Sequence, residues 1–250
     1  MQYGICPLSV VSVRLTADDT SELITQLLYG DYYKIIETRK FWSKIRITYD
    51  GIEGWIDNQQ IHQITEEEYH LIHKSKKRKF SSDLVSFVST QESMLIPLVL
   101  GSSIEHSNLL NHNFEGNYIN QTIDKKELIT IASLYLNAPF LWGGKTPFGI
   151  DCSGFTQMVY KINGHNLLRS ASQQATQGEP LSFIEESEPG DLAFFDNNDG
   201  VIDHVGIIMQ NNYIIHASGK VRIDRIDHTG IFNTELKSYT HKLRVIKKIL

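Results

Sequence analysis

Cysteine is scarce in this sequence, net charge is small, and long apolar runs are missing. The 250 residues hold two cysteines, Cys6 and Cys152. Two cysteines so far apart make no disulfide framework, so two thiols are expected. With 24 basic and 29 acidic side chains the formal balance is −5. That balance argues against nucleic acid or an anionic membrane as a partner of the whole molecule. No stretch approaches the roughly 20 apolar residues that cross a bilayer, and the longest apolar patch, Met94 to Leu100, is interrupted by Pro97. The opening Met1-Gln2-Tyr3-Gly4-Ile5-Cys6-Pro7 lacks the basic region and apolar core of a secretory signal. The expectation is a soluble, reduced, cytoplasmic protein. What is present is ordinary for a globular chain: 41% apolar, 21% charged and 10% aromatic. That composition excludes a disordered or collagen-like chain and provides for one sizeable core and a smaller second one.

Residues 1–60 read as short β-strands. Apolar residues alternate at period two through Trp42-Ser43-Lys44-Ile45-Arg46-Ile47, which suits a half-buried strand. Asp50-Gly51 makes a turn, and Gly54-Trp55-Ile56 opens another strand. Short strands at this spacing suggest a small barrel. In residues 61–120, Glu66-Glu67-Glu68 opens a short helix, and β-like pieces follow at 84–88 and 94–100. A second small barrel and an elaborated linker both fit that stretch. The basic run Lys74-Ser75-Lys76-Lys77-Arg78-Lys79 reads as a solvated loop. His106 and His112 lack the further ligands a metal site needs. From residue 121 the character changes. Asp124 with Glu127 resembles a capping box, and Leu128, Ile131, Ala132 and Tyr135 share one helical face that runs to Asn137. The loop Trp142-Gly143-Gly144-Lys145 lacks the spacing of a phosphate-binding loop. A second helix begins at Cys152-Ser153 and stops at Gly164, and strand-like runs follow at 192–195, 204–209, 213–216 and 243–249.

Three of these residues carry chemistry. Cys152 sits at a helix start, where free amides and the positive end of the dipole favour a thiolate and can receive an oxyanion. With a cationic histidine beside it, such a cysteine reaches a pKa of roughly 3.5–7.5; the alternative is a small buried side chain packing the helix start. His204 opens a strand and His216 lies on the next one, across the turn Gln210-Asn211-Asn212. If that hairpin pairs the two strands, the imidazoles meet: His204 can take the thiol proton and His216 can fix its tautomer. Each histidine alone would read as a structural residue.

The motifs Phe140-Leu141-Trp142-Gly143-Gly144, Asp151-Cys152-Ser153-Gly154-Phe155, Arg169-Ser170-Ala171-Ser172-Gln173-Gln174, Pro189-Gly190-Asp191-Leu192, Asp203-His204-Val205-Gly206-Ile207 and Ile215-His216-Ala217 resemble the NlpC-type papain-like cysteine peptidases. The resemblance implies an α+β papain-like catalytic domain (121–250) behind one SH3-like barrel (1–60) and either a second one or a linker (61–120). It implies a Cys152-His204-His216 triad acting on murein peptides, with no metal or organic cofactor required; a monomer is the expectation, and the sequence leaves the oligomeric state open. The stretch Ser21 to Gly30 is similar to a group whose barrel selects a free N-terminal L-alanine. The family resemblance itself implies a cut between γ-D-glutamate and the diamino acid. Asp151 and Glu22 are then candidates for the ammonium, Trp55 and Trp142 for walls, and Ser153 and Ser172 for the D-glutamyl group. Asp151 reads equally as a helix cap, Glu22 as a surface carboxylate and Trp142 as a core aromatic. Phe140 stands where many members of the family carry tyrosine, and Arg169 reads as structural. The rival functions are an amidase or acyltransferase using the same triad, and a non-catalytic binder of wall fragments.

Overall fold

The computed structural model describes residues 2–75, 77–122 and 124–250. Lys76, within the basic run, and Met1, in the opening segment, lie outside the described residues. The chain divides into two compact units, residues 1–121 with 142–146, and residues 122–141 with 147–250.

The first unit is built on a seven-stranded antiparallel sheet in the order Leu23–Leu28, Val10–Arg14, Glu53–Asp57, Trp42–Ile47, Tyr32–Thr38, Gln2–Ile5, His62–Ile64. Period-two patterning produces it: in Trp42–Ile47 the side chains of Ser43, Ile45 and Ile47 are buried while Arg46 faces solvent. Leu23–Leu28, a strand that alternation alone does not mark, has four consecutive buried residues. The helix Glu66–Lys74 starts at the acidic run, with Thr65 and Glu68 forming a reciprocal capping box. Residues 61–120 also contribute a three-stranded sheet (Val85–Ser89, Leu95–Val99, Asn113–Phe114) and a two-stranded one (Phe80–Ser81, Tyr118–Ile119). Val88 and Leu98 from this region share one apolar cluster with Tyr3, Ile5 and Tyr29. The Nδ1 atom of His112 lies 3.0 Å from the Tyr29 hydroxyl.

The second unit is organised around a seven-stranded sheet in the order Glu179–Leu181, Ser238–Lys248, Leu192–Asp196, Ile202–Met209, Tyr213–Ser218, Lys220–Ile226, Gly230–Asn233. Gly230–Asn233 pairs back onto Ser238–Lys248, so the sheet closes on itself. Phe195, Ile208, Ile214, Ile226, Ile231 and Ile246 form its apolar filling. The helix Cys152–Ile162 is buried along its whole length and packs on the strands Ile202–Met209 and Tyr213–Ser218. Gly164, at φ +85°, turns the chain away just past its end.

The helix expected from Asp124 is tighter and shorter. It begins as a 3-10 turn, Lys125–Glu127, becomes α-helical over Leu128–Ser133 and continues as i→i+3 turns through Leu136. In so tight a first turn Asp124 caps the Lys126 amide, not the Glu127 amide that a capping box requires. Among the described residues no helix is long and apolar enough to cross a membrane.

Candidate active site

The start of the buried helix is fixed by a carboxylate. Asp151 caps it, accepting from the Gly154 amide at 2.6 Å. Arg169 grips the same carboxylate through Nη1 at 3.0 Å and Nη2 at 2.6 Å. The Ser153 hydroxyl completes the knot, donating to Asp151 at 3.2 Å and accepting from Arg169 at 2.9 Å. Cys152 is thereby held at the first helical position with 7% of its surface exposed. Its thiol donates to the Asp203 carbonyl at 3.7 Å and also lies against the Val205 amide. Those two groups flank His204 in the chain. They belong to the part of the His204 strand that precedes its first pairing with the His216 strand, at Gly206.

Register brings the imidazoles together. Gly206 is directly opposite His216, and Ile208 is opposite Ile214. His204 is therefore the diagonal neighbour of His216 on the sheet face that carries Ile208 and Ile214, within reach of a long side chain. His204 Nε2 lies 2.8 Å from His216 Nδ1. Gly206 is required for it: a Cβ there would stand 2.9 Å from the His216 Cβ and 2.7 Å from Ile214 Cδ1. Gly206→Ala is expected to lower stability by about 1–3 kcal/mol through overpacking, and to reduce turnover by tilting His216. Thermal melting and kcat check both.

The far side of His216 is also engaged, with its Nε2 3.0 Å from Asp224 Oδ2. Asp224 is held in turn by Arg222, from Nε at 2.6 Å and Nη2 at 3.0 Å. His241 stacks on His204 with centroids 4.0 Å apart and planes 27° apart. His204, His216 and His241 each offer a nitrogen within 4.8 Å of the others. The His204 and His241 rings are nearly parallel, however, so their in-plane lone pairs do not converge, and the group reads as a stack and not as a metal cage. A cavity of about 530 Å³ lies beside it, lined by His204, His241, Asp203, Tyr239 and Lys242 among others.

Burial decides the charge states. It pushes the Cys152 thiol up to about 12, reinforced by the Asp151 charge and only partly offset by the amides of Val205 and Ser153 and by Arg169. Desolvation, with His216 and His241 adding to it, holds His204 well below its ordinary value. His216 is lowered by burial despite Asp224, and burial lowers His241 to about 4. Burial therefore works against both the thiolate expected at a helix start and a charged imidazole beside it.

The other sequence-derived candidates fall into two groups. Asp151 and Ser153 are turned toward Arg169 and the helix cap. Ser172 is exposed on the short helix Ala171–Gln174, its hydroxyl 3.1 Å from that of Ser170. In the first unit, Trp142 is 60% exposed and donates from Nε1 to Glu22 at 2.7 Å. The glycine beside it, Gly143 at φ +76°, lies so close to Leu23 that a Cβ would stand 2.3 Å from its carbonyl oxygen. Trp55, expected as a wall, is instead buried under the Arg39 guanidinium, which sits 4.1 Å from the ring centroid. Asp224, Arg222 and His241 were not anticipated. The alternation Val221, Ile223 hinted at the strand that carries the first two, but four charged residues within it hid the signal.

A buried helix led by a cysteine, laid on a closed antiparallel sheet that joins two histidines, makes an α+β domain with a thiol and two imidazoles gathered in one region. Known proteins narrow the assignment. Residues 137–240 match the NlpC/P60 family, and residues 13–61 match the bacterial dipeptidyl-peptidase SH3 domain. The chain therefore carries an NlpC/P60 domain with a bacterial SH3 domain ahead of it in sequence, and the activity class is that of a peptidase. It is similar to a γ-D-glutamyl-L-lysine dipeptidyl-peptidase of Bacillus cereus, 25% identical over 82% of this chain and 70% of the relative. It is also similar to dipeptidyl-peptidase 6 of Lysinibacillus sphaericus, 25% identical over 83% of this chain and 85% of the relative. The crystal structure of an NlpC/P60 family protein from Bacillus cereus superposes with a TM-score of 0.82 over 99% of both chains at 17% identity, a likeness of fold.

Proposed function

We propose that this chain is a cysteine endopeptidase that cuts murein peptides between γ-D-glutamate and the diamino acid, on substrates with a free N-terminal L-alanine. The observation that carries the reading is the Cys152 thiol set against the backbone on both sides of His204, whose Nε2 is hydrogen-bonded to His216. The names of the similar peptidases support the choice of substrate.

With both groups neutral at rest, proton transfer and attack go together. His204 takes the thiol proton as the sulfur adds to the γ-carboxamide carbon. The carbonyl oxygen becomes an oxyanion within reach of amides at the helix start. The tetrahedral intermediate collapses as His204 returns the proton to the departing amine of the diamino acid, leaving a thioester on Cys152. Water, deprotonated by His204, then releases the acid and regenerates the thiol.

The test is incubation with L-Ala-γ-D-Glu-L-Lys and with its meso-diaminopimelate counterpart, each free and N-acetylated, with products identified by mass. Release of L-Ala-γ-D-Glu from the free forms alone is expected. Cleavage of simple acyl esters without cleavage of these peptides would favour an amidase or acyltransferase. A neutral thiol also predicts that iodoacetamide labels Cys152 slowly at pH 7, with a rate that climbs about tenfold per pH unit through pH 10. Peptide mapping checks this, and a plateau below pH 8 would indicate a preformed thiolate.

A further inference from the structure

We infer that Asp224, clamped by Arg222, is a positioning residue: its carboxylate fixes which ring nitrogen carries the proton on His216 and, through His216, on His204. The inference rests on the reading of Cys152 and His204 as nucleophile and base, and it extends that reading to a side chain beyond the triad.

An ionised carboxylate can only accept hydrogen bonds. Asp224 Oδ2 stands 3.0 Å from His216 Nε2, so the proton of His216 is on Nε2. A neutral His216 then has a bare Nδ1. The atom 2.8 Å from that nitrogen is His204 Nε2, which must donate. A neutral His204 with its proton on Nε2 keeps its lone pair on Nδ1, the ring nitrogen left to receive the thiol proton. Reversing the first bond reverses each later one and places the His204 proton on Nδ1, where the ring cannot act as the base. His204 and His216 in isolation would satisfy their shared bond equally well in either direction. Asp224 removes that symmetry.

Asp224 is built to stay ionised and still. It has 2% of its surface exposed. Burial alone would raise its carboxyl, but the hydrogen bonds and charges of His216 and Arg222 outweigh burial and hold it below its ordinary value. Arg222 spans both carboxylate oxygens, at 2.6 and 3.0 Å, and is itself braced by Glu235 at 3.1 Å. The placement follows from strand periodicity. Arg222 and Asp224 lie two residues apart on one face of Lys220–Ile226, with Arg222 opposite His216 and Asp224 opposite Ile214. The arrangement parallels the buried carboxylate that sets the imidazole tautomer in serine-protease triads, placed one imidazole further from the nucleophile.

The test uses the full chain. Side-chain 15N spectroscopy of the wild type is expected to find the Nε2–H tautomer at both His216 and His204. In Asp224→Asn the amide NH2 must face a donor, either Arg222 Nη2 or the pair Arg222 Nε and His216 Nε2, and in the second orientation the Nδ1–H form of His216 is expected to appear. There kcat on the murein tripeptide should fall about 10- to 100-fold, the range for loss of an outer hydrogen-bond partner, with KM changed by less than about threefold. Asp224→Glu, which keeps an acceptor, should recover part of the lost kcat. Wild-type His216 protonated on Nδ1 would overturn the proposal whether or not any variant folds, as would an Asp224→Asn enzyme with unchanged tautomers and rates. The spectra need no substrate. An enzyme with the expected tautomers that leaves murein peptides uncut therefore contradicts the substrate assignment and not the role of Asp224.

Discussion

Replacing Cys152 by alanine should reduce turnover by about 10⁴- to 10⁶-fold and leave the fold in place. The rate loss follows from the chemistry, because no thioester can form without the sulfur. In a hydrolase whose nucleophile and base act as a unit, removing the nucleophile alone costs about as much as removing the whole triad, near 10⁶ in kcat. The stability change is small because the thiol contributes little packing: one sulfur atom, bonded weakly to the Asp203 carbonyl at 3.7 Å. Loss of one buried heavy atom is worth about 1 kcal/mol. The cap that starts the helix belongs to Asp151 and survives the substitution. Circular dichroism and melting should match the wild type, while cleavage products fall below detection. A variant retaining more than about 1% of wild-type turnover would remove Cys152 from the mechanism.

The second large effect is on stability. Arg169→Met should lower it by about 3–5 kcal/mol, because it strips a buried carboxylate of its cation. Asp151 is 9% exposed at its side chain and Arg169 is 5% exposed, so solvent cannot replace the lost partner. The same carboxylate caps the helix at Gly154 and receives Ser153, so the loss spreads to the segment that holds Cys152. A fall in Tm of about 10 °C or more is expected for a unit of this size. A shift below about 2 °C would show that the pair is dispensable. Asp151→Asn, which keeps a capping oxygen, should be milder.

Much of this site could be read from the chain. Asp151 before Cys152 marks a helix start by the ordinary rule of capping, and Gly164 marks its end. The turn Gln210-Asn211-Asn212 sets the register in which Gly206 faces His216, which is enough to bring the histidines to diagonal positions. What stayed hidden depends on closure of the sheet. Asp224 looks like one charge among several in Lys220–Ile226, and its burial appears only when the strand is paired on both sides. His241 reaches His204 from the strand Ser238–Lys248, which joins the sheet between Leu192–Asp196 and Glu179–Leu181. Trp55 looked available because nothing local announces that Arg39 covers it. The thiol's surroundings were hidden for a related reason: a helix start favours an anion, but burial beside the Asp151 charge works against it.

The proposed mechanism runs through covalent catalysis at one sulfur. Rapid acid quenching of the enzyme with L-Ala-γ-D-Glu-L-Lys during its first turnovers, followed by peptide mapping by mass spectrometry, tests this most directly. An L-Ala-γ-D-glutamyl thioester on the peptide carrying Cys152, forming before free product and vanishing as substrate is exhausted, is the predicted result. Product formed at full rate with Cys152 unmodified at every time, or with the acyl group on another side chain, would contradict it.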